Sequence, residues 1–232
     1  MTIKNLRNNF LNYCKINKLK INNNQINVIE LLVKFYITCF DKSFFNFFKK
    51  KNNKLGFYLF GDVGVGKTML LNFFYENIKI PKQRLHFNEF MISFHDFTHT
   101  YREYDKSNTI ELFVKNISKQ CDLIYFDEFQ ITNITDAMII GKLFETMFTK
   151  NIKIIITSNI KINNLYKDGL QRDQFMPFIN IMNQKCSEIE LIINEDYRKS
   201  LSNALDRFFY PLNEETNFKI NQIFRRLTKN KK

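Results

Sequence analysis

The chain has 232 residues, of which 44% are apolar and 16% aromatic, so its composition predicts a folded domain with a buried core and excludes a disordered chain. Its net charge of +12 fits an acidic partner such as nucleic acid or an anionic membrane, but it also fits a general drift toward Lys, Asn, Ile and Phe. We favour drift, because Arg, which makes the better forked contacts with phosphate, is scarce.

Residues 1–54 are predicted to form an N-terminal helical lead-in and a linker. Residues 1–24 are polar and rich in Asn, which is typical of a loose or partly helical segment. From Gln25 to Phe40 apolar residues recur at spacings of three and four, which indicates one face of a helix. The Lys-rich stretch 48–54 breaks that pattern, and we interpret it as a solvated loop.

Residues 55–194 are predicted to form the core domain, because short apolar runs there alternate with helical patterns. Such alternation is typical of an α/β fold in which helices cover both faces of a parallel sheet, here with five strands. Residues 195–232 are predicted to form a C-terminal helical segment with a basic tail. The predicted strands are 55–60, 84–87, 121–127, 152–159 and 187–193, and the predicted helices are 67–77, 89–104, 109–119, 135–150, capped by Thr135 or Asn133, and 168–185.

Four of the six glycines lie between positions 56 and 66, and the sequence around them matches the phosphate-binding pattern GxxxxGK[ST]. Backbone N–H groups in such a loop point at phosphate oxygens, and the helix that follows adds its positive N-terminal end. We expect Lys67 to contact the outer phosphates and the Thr68 hydroxyl to coordinate Mg²⁺. The predicted nucleotide contacts are Gly61, Asp62, Val63, Gly64, Val65, Gly66, Lys67 and Thr68.

A pair of acidic residues ends the third predicted strand, in the sequence LIYFDEF. Asp127 is placed to hold Mg²⁺ through water, and Glu128 to accept a proton from the water that attacks the nucleotide. A purely structural pair is the alternative, but carboxylates that follow a buried run are costly unless they face a cation.

The sequence IIITSN ends in Asn159, which permits two interpretations. If the strand before it lies between the two motif strands, Asn159 reaches the γ-phosphate or the attacking water. Otherwise it only begins a turn. We favour the first interpretation, in which Asn159 acts as a sensor of the nucleotide.

The pattern of cysteines and the lack of a recognisable targeting signal favour a cytoplasmic protein. The four cysteines form no CxxC pair, so we expect reduced thiols, with Cys121 in the core. The first ten residues are polar and carry neither an apolar signal-peptide core nor the composition of a transit peptide. The chain has no run of 18 apolar residues, so we expect no membrane span.

Several longer blocks, from about Asn24 to Leu227, resemble the ATPase family of the bacterial cell-division protein ZapE and its mitochondrial lactation-elevated-type relatives. The blocks FDEFQITNITDAM and YKDGLQR are more specific than the phosphate loop. The resemblance implies a P-loop NTPase fold of the AAA+ type and Mg²⁺-dependent hydrolysis of ATP. It also implies a ring-like homo-oligomer with active sites between subunits.

A site between subunits needs a cation from the neighbouring subunit, and the resemblance makes Arg172 our candidate, with Arg198 as its rival. This chain departs from the family pattern at Gln174 and Asn88, where the family has basic residues. The family also continues well past the last residues of this chain, so we expect a shortened C-terminal region. In AAA+ proteins the region after the fifth strand often forms a lid that supplies a second sensing Arg, and the candidates for that residue here would be Arg225 or Arg226.

Three hypotheses of function remain open at this point. The leading one is an ATPase that acts on a protein partner, which by resemblance is the division machinery. The second is a nucleotide-gated binding switch with little turnover. The third is a nucleic-acid remodeller like the helicase loaders, because fold alone does not settle function.

Overall fold

The computed structural model describes residues 5–40, 54–101 and 106–193, and these fall within one compact unit that spans Met1–Asn194. Its strands are β1 Gly56–Phe60, β2 Lys82–His86, β3 Leu123–Asp127, β4 Lys153–Ser158 and β5 Cys186–Glu190. Its helices are α1 Leu6–Ile16, α2 Asn23–Phe40, α3 Lys67–Asn77, α4 Phe87–Thr100, α5 Lys106–Gln120, α6 Ile134–Thr149 and α7 Arg172–Lys185, with a short 3-10 helix at Ile162–Asn164.

The strands form one parallel sheet in the order β2-β3-β4-β1-β5. The predicted α/β class with a five-stranded parallel sheet is therefore confirmed. Strand β4 lies between β1 and β3, which is the condition that the sequence left open for Asn159. Because the strands are parallel, the segments that follow β1, β3 and β4 emerge at the same edge of the sheet.

Helices cover both faces of the sheet, which explains why β1, β3 and β4 are buried at every position. On one face, α1, α2 and α3 pack against side chains such as Phe57 and Tyr125. On the other face, α4 to α7 enclose a cluster rich in phenylalanine. In that cluster the Phe144 ring lies 5.7 Å from the Phe126 ring and 5.2 Å from the Phe178 ring, centre to centre.

The N-terminal segment is more ordered than its Asn-rich composition predicts. Leu6, Phe10 and Cys14 recur every four residues and are buried, so α1 is an amphipathic helix. The Phe10 ring meets the Phe73 ring of α3 edge-on at 5.2 Å. The described part of the lead-in, residues 5–24, is thus largely helical, and α1 packs on the helix that follows the phosphate loop.

Most other element boundaries differ from the prediction by a few residues. Strand β2 ends at His86 and α4 begins at Phe87, where the His86 N–H donates to the Glu89 carboxylate at 3.2 Å. Helix α7 begins only at Arg172, four residues later than predicted. Residues 168–171 form non-helical turns instead of the first turn of the helix. Asn133 caps α6 by accepting from the Thr135 N–H at 2.9 Å, so Asn133 is the correct choice of the two candidates.

All four cysteines are free thiols, as predicted, and Cys121 is buried. Among the described residues, no helix has the length and apolar character needed to cross a membrane. Some predictions concern positions outside the described residues. These positions are residues 48–53 of the Lys-rich loop and the C-terminal segment 195–232, which includes Arg198. The predicted domain boundaries stay predictions.

Candidate nucleotide site

Both backbone conformation and close neighbours favour glycine at Gly61 and Gly66 in the loop between β1 and α3. Gly61 has φ of 152°, and a Cβ atom there would lie 2.4 Å from the Leu191 carbonyl oxygen. Gly66 has φ of 91° and is the left-handed N-cap of α3, where a Cβ atom would lie 2.9 Å from the Gln25 amide nitrogen. Side chains are therefore excluded both by backbone conformation and by close neighbours. The loop keeps its main chain accessible where a phosphate group would approach.

The ammonium group of Lys67 lies inside this loop. It donates to the carbonyl oxygens of Gly61 at 2.8 Å and Asp62 at 2.7 Å, and to the Asn159 side-chain oxygen at 2.8 Å. Lys67 is buried, so its charge acts in a poorly screened environment. The structure thus brings Lys67 and Asn159 together, although they are 92 positions apart in the sequence.

Asp127 ends β3 on the face of the sheet that carries α3, and hydrogen bonds engage both of its carboxylate oxygens. The Oδ1 atom accepts from the hydroxyls of Thr157 at 2.5 Å and Thr68 at 3.2 Å, and from the Glu128 N–H at 3.2 Å. The Oδ2 atom accepts from the Arg84 guanidinium at 2.7 Å. The predicted magnesium residues Thr68 and Asp127 therefore lie in direct contact.

Two opposing effects act on the pKa of the Asp127 carboxyl. Burial would raise that pKa, because it disfavours the charged form. The hydrogen bonds from Thr157 and Arg84 outweigh burial and hold the pKa below its usual value. Asp127 is therefore an ionised carboxylate at neutral pH, as a magnesium ligand has to be.

Glu128 differs from Asp127 in both backbone and exposure. Its φ is 54°, a left-handed conformation that is uncommon outside glycine, and its side chain is exposed. The N–H of Glu128 lies 3.1 Å from the Thr157 hydroxyl, which helps to hold this conformation. Strained backbone of this kind is frequent at functional sites, and here it turns the chain sharply at the edge where the phosphate loop lies.

Arg172 belongs to a different part of the described structure. Its guanidinium donates to the carbonyl oxygens of Asn163 at 2.7 Å and Leu165 at 3.5 Å, around the short 3-10 helix. Its partners there are main-chain atoms rather than members of the Asp127 network. The structure thus groups the predicted site residues Lys67, Thr68, Asp127 and Asn159 and leaves Arg172 apart from them.

Two residues of the site were missed by the sequence reasoning. Arg84 pairs with Asp127, and Gln25 is buried and donates from its amide nitrogen to the Val65 carbonyl at 3.0 Å. A lone Arg in the short strand pattern RLHF was a weak signal for the first. Gln25 was read only as the start of a helix, and nothing in its local sequence pointed to the phosphate loop.

A cavity of about 380 Å³ adjoins the loop, which is within the range of small-molecule sites. It is bordered by the end of β1 and the segments that follow β4 and β5. The lining residues include Phe60, Asp62, Asn159, Asn164 and Ile192. The cavity therefore lies beside the first two residues of the phosphate loop, Gly61 and Asp62.

The sequence that forms this site also matches a known protein family. The profile of the family described as AFG1-like ATPase matches residues 18–232. The chain belongs to the AFG1-like ATPase family. The description of this family names an ATPase activity.

Relatives of known sequence agree with this assignment. The cell division protein ZapE of Escherichia coli K12 is 34% identical over 170 residues, which are 73% of this chain and 45% of that protein. Lactation elevated protein 1 homolog B of Danio rerio is 34% identical over 186 residues, which are 74% of this chain and 36% of that protein. The chain thus spans less than half the length of these relatives.

The fold itself is also found in a solved structure of low sequence identity. Domain III of the replication initiation protein DnaA of Thermotoga maritima has a TM-score of 0.51 and 16% identity, and the match covers 79% of this chain and 69% of that one. This likeness concerns the fold alone, and it supports an AAA+-like arrangement of the sheet and its helices.

Proposed function

We propose that this chain binds ATP together with Mg²⁺ at residues 61–68 and hydrolyses the bond to the γ-phosphate. The observation that carries the proposal is the convergence of three separate segments. The Lys67 ammonium touches Asn159, and the Thr68 hydroxyl touches Asp127, all at one edge of the sheet. A loop that only bound an anion would need neither the acidic strand end nor the polar tip of β4.

The residues present suit Mg²⁺, and they would hold it in the way usual for phosphate-loop proteins. Thr68 and Asp127 supply the hard oxygen atoms that this ion prefers, and it keeps several waters and phosphate oxygens as further ligands. No cluster of three or more His, Cys, Asp or Glu residues that could bind a metal occurs in the described part of the chain, which agrees with such a ligand-poor site. When bound, Mg²⁺ neutralises negative charge on the phosphates.

The remaining roles follow from position and charge. Lys67 would exchange its carbonyl partners for the outer phosphates, with a gain in charge-assisted hydrogen bonds. Glu128, exposed beside Asp127, would accept the proton of the attacking water. Asn159 would orient that water or the γ-phosphate through its amide group. The loop and the start of α3 would hold the triphosphate in line for the displacement.

Assembly and partner are part of the same proposal. Arg172 would complete the site of a neighbouring subunit in a ring-like homo-oligomer, because a developing charge on the transferred phosphate needs a cation beside it. Similarity to the cell division protein ZapE supports a protein of the division machinery as the partner. For Arg172 to act in this way, its guanidinium would have to leave the carbonyls of Asn163 and Leu165.

Binding and hydrolysis by purified wild type, Lys67→Ala and Glu128→Gln test the proposal. We expect Lys67→Ala to lose ATP binding and Glu128→Gln to bind ATP but not turn it over. Glu111→Gln, which removes the same charge from an exposed position of α5, is the matched control and is expected to behave as wild type. Hydrolysis by Glu128→Gln at the wild-type rate would contradict the catalytic assignment.

The wild-type ATP measurements and a separate DNA-binding assay distinguish the other two hypotheses. Wild-type protein that binds ATP without steady hydrolysis would indicate the nucleotide-gated switch. Binding to DNA that weakens steeply with salt would indicate the nucleic-acid remodeller. Absence of DNA binding at physiological salt would remove that hypothesis.

A further inference from the structure

Strand β2 places the basic side chains of Lys82 and Arg84 on the face of the sheet that carries α3. In this parallel pair Arg84 lies beside Tyr125 and His86 lies beside Asp127. Lys82, two residues earlier, bonds to carbonyl oxygens of Tyr75 and Ile78 at the C-terminal end of α3. Arg84 instead reaches the acidic end of the neighbouring strand. The two basic residues therefore have different partners, and only the contact of Arg84 concerns the nucleotide site.

The ion pair between Arg84 and Asp127 is asymmetric in its exposure to solvent. The Arg84 Nη2 atom lies 2.7 Å from the Asp127 Oδ2 atom, and 38% of the Arg84 side chain is exposed against 3% of the Asp127 side chain. The guanidinium also lies over the Tyr125 ring, with its carbon 5.3 Å from the ring centre. The carboxylate is therefore held inside the protein, whereas the cation can withdraw into water at little cost.

The other oxygen of Asp127 explains why this pair matters for a metal ion. That atom is occupied by donors that belong to the fold, the Thr157 hydroxyl and the Glu128 N–H, as well as by Thr68. These donors are uncharged. The negative charge of Asp127 is balanced by the Arg84 guanidinium. A divalent cation bound by Thr68 and Asp127 would balance the same negative charge and would lie within a few ångströms of the guanidinium, which would repel it.

We propose that Arg84 is an exchangeable counter-ion of Asp127, which Mg²⁺ has to displace or weaken when it binds with nucleotide. The inference rests on the proposed function, because it assigns Mg²⁺ to Thr68 and Asp127. Arg84 holds the carboxylate in place before Mg²⁺ arrives, and it makes the affinity for Mg²⁺ lower than the bare site would have. Arg84 is thus a positioning residue that sets how far nucleotide binding depends on Mg²⁺.

ADP binding by wild type and Arg84→Gln, measured by calorimetry over a series of Mg²⁺ concentrations up to saturation and also in EDTA, tests this inference. Without Arg84, Asp127 is an uncompensated charge that attracts Mg²⁺ and repels phosphate. We expect the Mg²⁺ concentration that gives half-maximal ADP binding to fall roughly three- to tenfold, as for a partly exposed ion pair. In EDTA we expect ADP binding to weaken by a similar factor. These changes have opposite signs, which a merely structural role would not produce.

Three further variants serve as controls. Lys79→Gln removes one positive charge from an exposed position and is expected to change neither measurement. Arg84→Lys keeps the charge and is expected to stay close to wild type in its Mg²⁺ dependence. Arg84→Met keeps most of the apolar contact with Tyr125 and repeats the test if Arg84→Gln does not fold, which thermal unfolding of each variant reports.

Each other outcome overturns the inference in a recognisable way. Equal weakening with Mg²⁺ and with EDTA would mean that Arg84 contacts phosphate or only supports the fold. An unchanged Mg²⁺ dependence would mean that Arg84 and Mg²⁺ do not compete. Failure of the wild-type protein to bind ADP under both conditions would instead refute the proposed function, and the inference with it.

Discussion

Replacement of Gln25 by Ala is expected to weaken ATP binding, although Gln25 lies outside the phosphate loop in the sequence. Its side chain is 2% exposed, and its amide nitrogen donates to the Val65 carbonyl at 3.0 Å. The same nitrogen is the atom closest to a Cβ at Gly66. The Gln25 side chain thus supports the phosphate loop at Val65 and Gly66, where the loop leads into α3.

The size of the effect follows from what the amide does. Loss of a buried hydrogen bond that leaves the Val65 carbonyl unsatisfied costs about 1–3 kcal/mol, and the space left by the side chain adds to this. Val65 is itself buried, so water cannot readily replace the amide. If about half of that energy holds the loop in its binding conformation, ATP affinity falls roughly two- to tenfold.

Urea unfolding without nucleotide and ATP titration separate the two parts of the effect. Asn24→Ala is the matched control, because its neighbouring amide is exposed and donates to the Ile192 carbonyl at 2.7 Å rather than to the loop. Gln25→Glu keeps the shape but has no N–H to donate, and is expected to weaken ATP binding as well. If Gln25→Ala lowers the free energy of unfolding but binds ATP as tightly as Asn24→Ala, the supporting role is wrong.

Two further predictions concern the sheet and the assembly. Gly56→Ala is expected to lower the free energy of unfolding by about 1–3 kcal/mol, because its Cβ would lie 2.2 Å from the Cys186 sulfur. Adding Cys186→Ala is expected to restore part of that loss, and simple additivity in urea unfolding would contradict the steric explanation. Arg172→Ala is expected to hydrolyse ATP slowly and to regain activity when mixed with Glu128→Gln subunits, which supply the missing Arg. A mixture no more active than its components would speak against a shared site.

The segment from residue 55 to residue 77 was predictable because several independent signals agree there. An apolar run, a glycine-rich turn with the phosphate-binding pattern and a helical pattern follow one another without a gap. Helix α3 has the bounds that the sequence predicts, and β1 differs by one residue.

Other features were not predictable, because they depend on which distant segments become neighbours. The partners Arg84 and Asp127 are 43 positions apart, and Gln25 and Val65 are 40 positions apart. No local pattern specifies such a pair, since it follows from the order of the strands and from the packing of α2 on α3. The helical lead-in was predicted only in outline, because abundant Asn obscured the apolar spacing of four residues that defines α1.

Strand β4 links the two halves of the site more closely than its sequence suggests. The Thr157 hydroxyl donates to Asp127 and lies within hydrogen-bond distance of the Glu128 N–H, while the next residue, Ser158, donates to the Phe129 carbonyl at 2.8 Å. Asn159 then reaches Lys67. The last two residues of β4 thus contact the segment Asp127–Phe129 on one side, and Asn159, which follows β4, contacts Lys67 of the phosphate loop on the other. The contacts of β4 and of the residue after it thus tie the positions of Asp127, Glu128 and Asn159 to one another.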